Sequence, residues 1–258
     1  MQIIAHRGAS GEYPENTLLA IGQAITQGAD AIEIDVFAVQ GELIVIHDHH
    51  LTRTTNGTGS IYQYSVEQLM QLDAGRGERI PTLWQVLQLL QNTRLWLNIE
   101  LKGENTVVPL LALLDKAKQE LQFDSQRLLI SSFNHHLLAA LKLARPELKL
   151  GALTACLPLD YAAFAQQLQA YSVNCDVSFI NQAFVADARA RGLKVYVYTV
   201  DQTDDIERLQ QYGVDGIFSN YPERSRQTQE VQTPCLQRNG KSMPWRNAAS
   251  RIVSLLST

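Results

Sequence analysis

Glu33 and Asp35 stand two residues apart in the run Ala31-Ile32-Glu33-Ile34-Asp35-Val36. In an extended chain, residues i and i+2 share a face, so both carboxylates point the same way, about 7 Å apart. Their apolar neighbours argue for a buried segment. Two like charges on a buried face repel unless something positive joins them. A pair of structural ion pairs is one answer; a metal ion is the better one. Glu100-Leu101-Lys102 repeats the spacing, with Asn98 ahead of it on the same face. Carboxylates contributed by two strands make an all-oxygen site of the kind that holds a hard cation, Mg²⁺ or Ca²⁺. Three acids outweigh a divalent charge, and Arg7 and Lys102 are placed to supply the further positive charge an anionic substrate needs.

Two histidines complete the set. His6 ends the strand-like run that begins at Gln2 and is followed by Arg7 and Gly8, where glycine leaves the backbone room to turn and approach a ligand. His47 follows Leu43–Ile46, behind a turn at Gln40-Gly41. Counted from Gly41, Asp35 and His47 are equidistant, which predicts a hairpin that sets them opposite each other. His49 and His50 come next, but adjacent residues of an extended chain alternate direction, which argues against a separate histidine metal cluster. His135 and His136 open a helix and are expected on the surface. Pro14-Glu15-Asn16-Thr17 opens another, with Asn16 or Thr17 expected as its cap. Two bases that titrate near neutrality suit a general base and a general acid. A hard cation with Arg and Lys suits a phosphoryl oxygen on which charge develops. Together they suit cleavage of a phosphodiester.

These residues need a scaffold that brings strand ends together. Strand-like runs fall near 2–6, 30–36, 95–102, 127–132, 148–153, 173–178, 193–199 and 215–219. Between most of them lie apolar residues at helical spacing: Leu18, Leu19, Ile21 and Ile25; Leu110, Leu111, Leu114 and Ala117; Leu137, Leu138, Leu141 and Ala144; Ile206, Leu209 and Tyr212. Eight strands alternating with helices predict a closed (β/α)8 TIM barrel, class α/β, with active residues at the strands' C-terminal ends. The alternative, an open doubly wound sheet, lacks its usual Gly-x-Gly-x-x-Gly after the first strand. Nearly 60 residues separate the second and third barrel strands, too many for one crossover. We read an insertion over about 41–93, with short helical pieces near 65–73 and 82–91. Residues 1–222 then form the barrel, and 223–258 an irregular polar tail.

Composition narrows the function classes. The 258 residues are 45% hydrophobic and 19% charged, which suits a globular core. Lys and Arg number 22 against 26 Asp and Glu, a net charge of −4, so a nucleic-acid partner is not expected. No apolar run approaches the roughly 18 residues of a bilayer span, and no signal-peptide pattern is visible. Cys156, Cys175 and Cys235 suggest neither a disulfide framework nor a zinc site. The expectation is a reduced cytoplasmic protein with buried thiols, acting on a small molecule without stable membrane insertion, and compatible with a homo-oligomer.

The ordered motifs resemble those of the glycerophosphodiester phosphodiesterase family. They are His6-Arg7-Gly8-Ala9 through Pro14-Glu15-Asn16-Thr17, Glu33-x-Asp35, and His47-Asp48 with Leu51, Arg53-Thr54-Thr55, Gly57 and Gly59. Then come Glu100-x-Lys102, Ser131-Ser132-Phe133, Thr199-Val200, and Asp215-Gly216-Ile217 with Tyr221-Pro222. The resemblance implies a TIM barrel with a small inserted subdomain. It implies a divalent cation held by Glu33, Asp35 and Glu100, with His6 and His47 as the acid/base pair. It implies Arg7 and Lys102 near the phosphate, and Phe133 and Tyr198 at the substrate. The implied reaction turns a glycerophosphodiester and water into sn-glycerol 3-phosphate and an alcohol. The chain departs from the family's frequent Trp at Tyr198, Asn at Asp201 and Asp at Asn220, which touches the substrate wall and alcohol selectivity. Two alternatives are a phosphatidylinositol-specific phospholipase C-like diesterase, for which a long apolar rim would be expected and none is seen in the sequence, and a non-catalytic phosphoester-binding barrel, which would be expected to have lost a histidine or carboxylate.

Overall fold

Among the described residues the strand-like runs form eight parallel strands: β1 (Gln2–His6), β2 (Ala31–Val39), β4 (Trp96–Leu101), β5 (Leu128–Ser132), β6 (Lys149–Thr154), β7 (Ser172–Asp176), β8 (Lys194–Tyr198) and β9 (Gly216–Ser219). Each pairs with the next, and β1 pairs with both β9 and β2, so the sheet closes on itself. Closure excludes the open doubly wound sheet. The computed structural model describes residues 1–232.

Alternation along the strands sorts the core into layers. Ile32, Ile34 and Val36 of β2 join the large cluster between sheet and helices, as do Ile3, Ala5, Leu97, Ile99 and Ile130. The opposite face supplies a smaller apolar cluster, with Ile4, Ala31, Leu129, Tyr196 and Phe218. Further along the strands this inner face turns polar. Asn98 donates to Ser131 at 2.9 Å, and Ser172 donates to Asn174 at 2.8 Å. Two residues beyond Ala31 comes Glu33, then Asp35. Glu33 lies level with Asn98 of this polar layer, and Asp35 and Glu100 lie one inward step nearer the strands' C-terminal ends.

The outer helices are α1 (Leu18–Thr26), α3 (Leu83–Leu90), α4 (Val107–Glu120), α5 (His135–Ala144), α6 (Ala163–Gln167), α7 (Gln182–Ala190), α8 (Thr203–Tyr212) and α9 (Pro222–Gln232). Side-chain caps start several of them: Thr17 for α1, Thr82 with Gln85 as a capping box for α3, Asn134 for α5 and Asn181 for α7.

After β2 the chain turns through Gln40-Gly41, both at positive φ as a tight two-residue hairpin requires, into antiparallel β3 (Glu42–Val45). The inserted unit then runs through short 3₁₀ turns and α2 (Val66–Leu69). Its own core is Phe37, Val39, Ile44, Ile46, Leu51, Ile61, Leu69, Ala74 and Ile80. The helix expected near 82–91 does not share that core. Leu83, Val86, Leu87 and Leu90 of α3 pack into the barrel's main cluster, making α3 the outer helix between β2 and β4.

The chain after Pro222 departs from the expected irregular tail. α9 is the eighth outer helix, and it docks through polar groups: Arg226 donates to the Gly28 carbonyl at 2.9 Å and pairs with Asp30 at 2.7 Å. A helix held this way shows no apolar stripe, which is why the sequence pattern missed it. The rest of the expected tail, with Cys235 and the apolar positions Ile252 to Leu256, lies outside the described residues.

Gly8 fixes the turn that follows β1. Its φ is +79°, and a Cβ there would lie 2.6 Å from the Ala20 carbonyl carbon and 2.8 Å from the Ile21 nitrogen. Gly8→Ala is expected to destabilise by at least about 1–2 kcal/mol from the left-handed backbone alone, before the clash is counted. A thermal melt should show the midpoint falling by several degrees; an unchanged midpoint would mean that the turn relaxes freely.

Candidate active site

Strand register assembles the site. His6 lies level with Glu33 across β1 and β2, and Asp35 lies level with Glu100 across β2 and β4. One carboxylate oxygen each from Glu33, Asp35 and Glu100 comes within 4.8 Å of the other two. Glu33 and Asp35 are buried, and the Glu100 side chain keeps 12% of its surface.

Positive groups and amides surround these acids. The Arg7 backbone N–H donates to Glu33 Oε2 at 2.9 Å. Arg7 Nε lies 3.2 Å from Asp35 Oδ2, an ion pair whose angle is not that of a hydrogen bond. Lys102 Nζ stands 2.6 Å from Glu100 and 3.3 Å from Asp35. Asn16 grips Asp35 twice: its Nδ2 donates to Oδ2 at 2.9 Å, and its Oδ1 accepts from the Asp35 backbone at 3.2 Å. Asp35 is held below the usual carboxylate range, because Lys102 and Arg7 outweigh the burial that would raise it. Burial and the neighbouring Asp35 act together on the other two: Glu33 is raised well above its ordinary value, and Glu100 is pushed up to about 7. Among the described residues, Glu33 Oε1 is buried without a hydrogen-bond partner. An all-oxygen donor set with an orphaned oxygen and crowded charge fits a hard divalent cation.

Both histidines are anchored through Nδ1. His6 Nδ1 lies 2.8 Å from Asn220 Oδ1, an acceptor, so Nδ1 carries the hydrogen and Nε2 keeps its lone pair. His6 has some surface in contact with solvent, yet protein atoms crowd the ring; this burial and the charge of Arg7 push its pKa down to about 4. His47 Nδ1 lies 2.5 Å from the Asp48 carboxylate. Asp48 is lowered to about 2, since hydrogen bonds from Arg53 and His47 outweigh its burial. Arg53 also bonds both oxygens of Glu15, at 2.8 and 2.7 Å, and Glu15 accepts from Arg7 at 3.0 Å. A chain of charges thus ties the inserted unit to β1.

The expected hairpin exists with its register one residue off. Val36 pairs with Val45, and the Ile46 N–H donates to the Asp35 carbonyl, so Asp35 stands opposite Ile46. The two-residue turn centres between Gln40 and Gly41 rather than on Gly41. His47 leaves the ladder one residue later and still lies close enough for its charge to act on Asp35.

Phe133, 47% exposed, packs edge-on against Tyr198 with ring centroids 5.9 Å apart, and Lys102 Nζ lies 5.9 Å from the Phe133 ring centre. These residues lie after β5 and at the end of β8, on the same barrel face as the acids. His49, His50 and His136 are exposed. His135 is not a plain surface residue: it stacks on Phe164 and bonds the Leu153 carbonyl at 2.9 Å. Cys175 is buried, but Cys156 is exposed, contrary to the expectation of buried thiols.

Sequence reasoning missed Asn16 and Glu15 as site residues. Thr17 alone caps α1, accepting from Ala20. Asn16 is buried at φ +59° with its amide turned to Asp35. The available signal was a second cap-type residue beside Thr17, which left Asn16 free for another task.

Comparison with known proteins agrees with this geometry. Residues 6–224 match the model of the glycerophosphoryl diester phosphodiesterase family. A glycerophosphodiester phosphodiesterase of Caldanaerobacter subterraneus subsp. tengcongensis is 40% identical over 230 residues, covering 86% of this chain and 94% of that protein. An Oleispira antarctica phosphodiesterase, solved in complex with the product sn-glycerol-3-phosphate, is 33% identical with a TM-score of 0.82, covering 89% of this chain and 97% of that one. A glycerophosphodiester phosphodiesterase from Agrobacterium tumefaciens is 28% identical with a TM-score of 0.73, covering 86% and 97%. With strand register, buried acids and relatives in agreement, the chain belongs to the glycerophosphoryl diester phosphodiesterase family and is an enzyme of that family.

Proposed function

We propose that the chain hydrolyses glycerophosphodiesters to sn-glycerol 3-phosphate and an alcohol, with a divalent cation held by Glu33, Asp35 and Glu100 and with His6 and His47 as base and acid. The observation that carries the reading is the convergence of three carboxylate oxygens within 4.8 Å, beside Arg7 and Lys102. Three carboxylates against a divalent cation, a guanidinium and an ammonium leave one net positive charge. That matches the single negative charge of a phosphodiester. When bound, Mg²⁺ or Ca²⁺ would neutralise charge on a phosphoryl oxygen.

The two histidines divide the proton work by their anchors. His6, neutral and with Nε2 unprotonated, takes the proton from the attacking oxygen. His47 has an anionic partner in Asp48, the counter-charge of an imidazolium, and gives a proton to the leaving alkoxide. Arg7 and Lys102 stabilise the phosphoryl oxygens as negative charge grows. Phe133 and Tyr198 flank the substrate.

One observation favours a second reading, in which the substrate is a lipid phosphodiester. Phe133, Leu157, Leu159 and Phe179 are exposed on the loops after β5, β6 and β7, apolar side chains on the C-terminal face that sequence reading did not foresee. Incubation with glycerophosphocholine should release glycerol phosphate and choline. Faster turnover of phosphatidylinositol in mixed micelles would favour the second reading instead.

His6→Ala and His47→Ala are each expected to lose at least ~10²-fold in kcat on glycerophosphocholine. On bis(p-nitrophenyl) phosphate, whose leaving group needs no proton, His47→Ala should recover and His6→Ala should not. The reverse pattern would exchange the two roles. Lys102→Met should keep or gain cation affinity, because the ammonium competes for the same acids, while kcat/KM falls at least ~10-fold. Equal losses of stability and activity would make Lys102 a structural counter-ion only.

The raised acids set a pH signature. Glu33 and Glu100 hold their protons more tightly in the folded chain than in the unfolded one. The stability they contribute is present at low pH and is lost as pH rises through about 7, the value for Glu100. A cation must displace those protons. The rise in melting temperature on adding Mg²⁺ or Ca²⁺ should therefore be larger at pH 8 than at pH 5.5. A rise that is the same at both would place the cation elsewhere.

A further inference from the structure

The geometry points to Asp201 as a positioning residue that fixes the tautomer of His6 through the side-chain amide of Asn220. The inference rests on the reading of His6 as the general base. An imidazole serves as base at Nε2 only while its hydrogen sits on Nδ1, and what faces Nδ1 decides this. That group is Asn220 Oδ1, 2.8 Å away. A carboxamide, however, presents either its oxygen or its NH₂ within the same outline. Turned over, Asn220 would offer a donor to Nδ1, and the imidazole hydrogen would have to move to Nε2.

Three partners could choose between these orientations. Ser10 Oγ has one hydrogen to share between the His6 carbonyl at 2.6 Å and Asn220 Oδ1 at 2.8 Å, and as a neutral hydroxyl it competes weakly with a charged partner. His6 itself can take either tautomer. The third is Asp201, whose Oδ2 accepts from Asn220 Nδ2 at 2.6 Å. A carboxylate only accepts, so it selects the orientation with oxygen toward His6.

Asp201 is itself held on every side. Its Oδ1 accepts from the Asn220 backbone at 2.9 Å and from Ser219 Oγ at 3.0 Å. Ser219 Oγ in turn accepts from Ser225 Oγ at 2.8 Å and from the Tyr221 backbone at 3.1 Å, which leaves its one hydrogen for Asp201. The Asp201 carbonyl accepts from Arg224 Nη2 of α9 at 2.7 Å. The position taken by Oδ1 thus faces two donors and requires an oxygen.

In Asp201→Asn the new amide must put its oxygen at the Oδ1 position, against those two donors. Its NH₂ then faces the NH₂ of Asn220. Two donors cannot pair, so Asn220 turns over, and the His6 hydrogen passes from Nδ1 to Nε2. Restoring an acceptor beside His6 should reverse this, and Asn220→Asp in the same chain does so: the new carboxylate accepts from both the amide at position 201 and His6 Nδ1.

The test is a nitrogen NMR spectrum of ¹⁵N-histidine-labelled protein, with the His6 signals identified by their loss in His6→Gln. The native chain should show His6 neutral with hydrogen on Nδ1, Asp201→Asn should move it to Nε2, and Asp201→Asn with Asn220→Asp should return it. In parallel, Asp201→Asn should lose ~10²-fold in kcat on glycerophosphocholine, with KM within about threefold, and the double variant should recover to within about tenfold of native. His6 found with hydrogen on Nε2 in the native chain would overturn the proposal. So would an unmoved tautomer in a folded Asp201→Asn, or a double variant no better than the single one. Should Asp201→Asn fail to fold by circular dichroism, the native spectrum and the double variant decide. The tautomer is read without substrate, so a chain inactive on glycerophosphodiesters but with the expected spectra would fail the reaction and keep the relay.

Discussion

Mutual repulsion among three buried carboxylates is the constraint around which this molecule is arranged. Register alone forces Asp35 level with Glu100, with Glu33 one inward step deeper on the same face. Closure of the barrel prevents the strands from relaxing apart. The cost shows in the raised Glu33 and Glu100. What offsets it is local: two cations, the paired bonds of Asn16, and a backbone N–H aimed at Glu33 by consecutive positive-φ residues, Arg7 and Gly8. These compensations are partial, as the orphaned Glu33 oxygen shows. A structure that leaves carboxylates short of positive charge is built to gain more from a ligand.

The second organising feature is the asymmetry of the histidine anchors. One imidazole leans on a neutral amide, the other on a carboxylate. The inserted unit carries His47 and Asp48 back toward the mouth, and the chain Asp48–Arg53–Glu15–Arg7 fastens it there. The first histidine needs no such unit, because β1 ends beside it and β9 leads into its partner, Asn220. The sequence departures at Asp201 and Asn220 are therefore a single feature: the two side chains touch, and an acid and an amide have exchanged places relative to the family's frequent pattern.

Much of this was legible in the residues. The i, i+2 spacing of Glu33 and Asp35 and of Glu100 and Lys102 placed each pair on one face, and the alternation of strands with helical patterns indicated a closed barrel. What was not legible has physical causes. The hairpin register depends on whether one or two residues make the turn, and an offset of one moves Asp35 from His47 to Ile46. α3 looked like part of the insertion because a long gap hides which of two apolar clusters a helix will join. α9 has no apolar stripe to reveal it, being docked by Arg226. Asn16 was hidden because a buried, left-handed asparagine beside a capping threonine reads as capping until Asp35 is seen against it.

The central claim is that Glu33, Asp35 and Glu100 hold the divalent cation of the reaction. Crystals soaked in Mn²⁺, an oxygen-seeking stand-in for Mg²⁺, would test it most directly through anomalous scattering. A strong anomalous peak is expected within bonding distance of all three carboxylates, and its loss is expected in Glu100→Gln. A peak elsewhere on the molecule, or none at these acids in crystals that still turn over substrate, would contradict it.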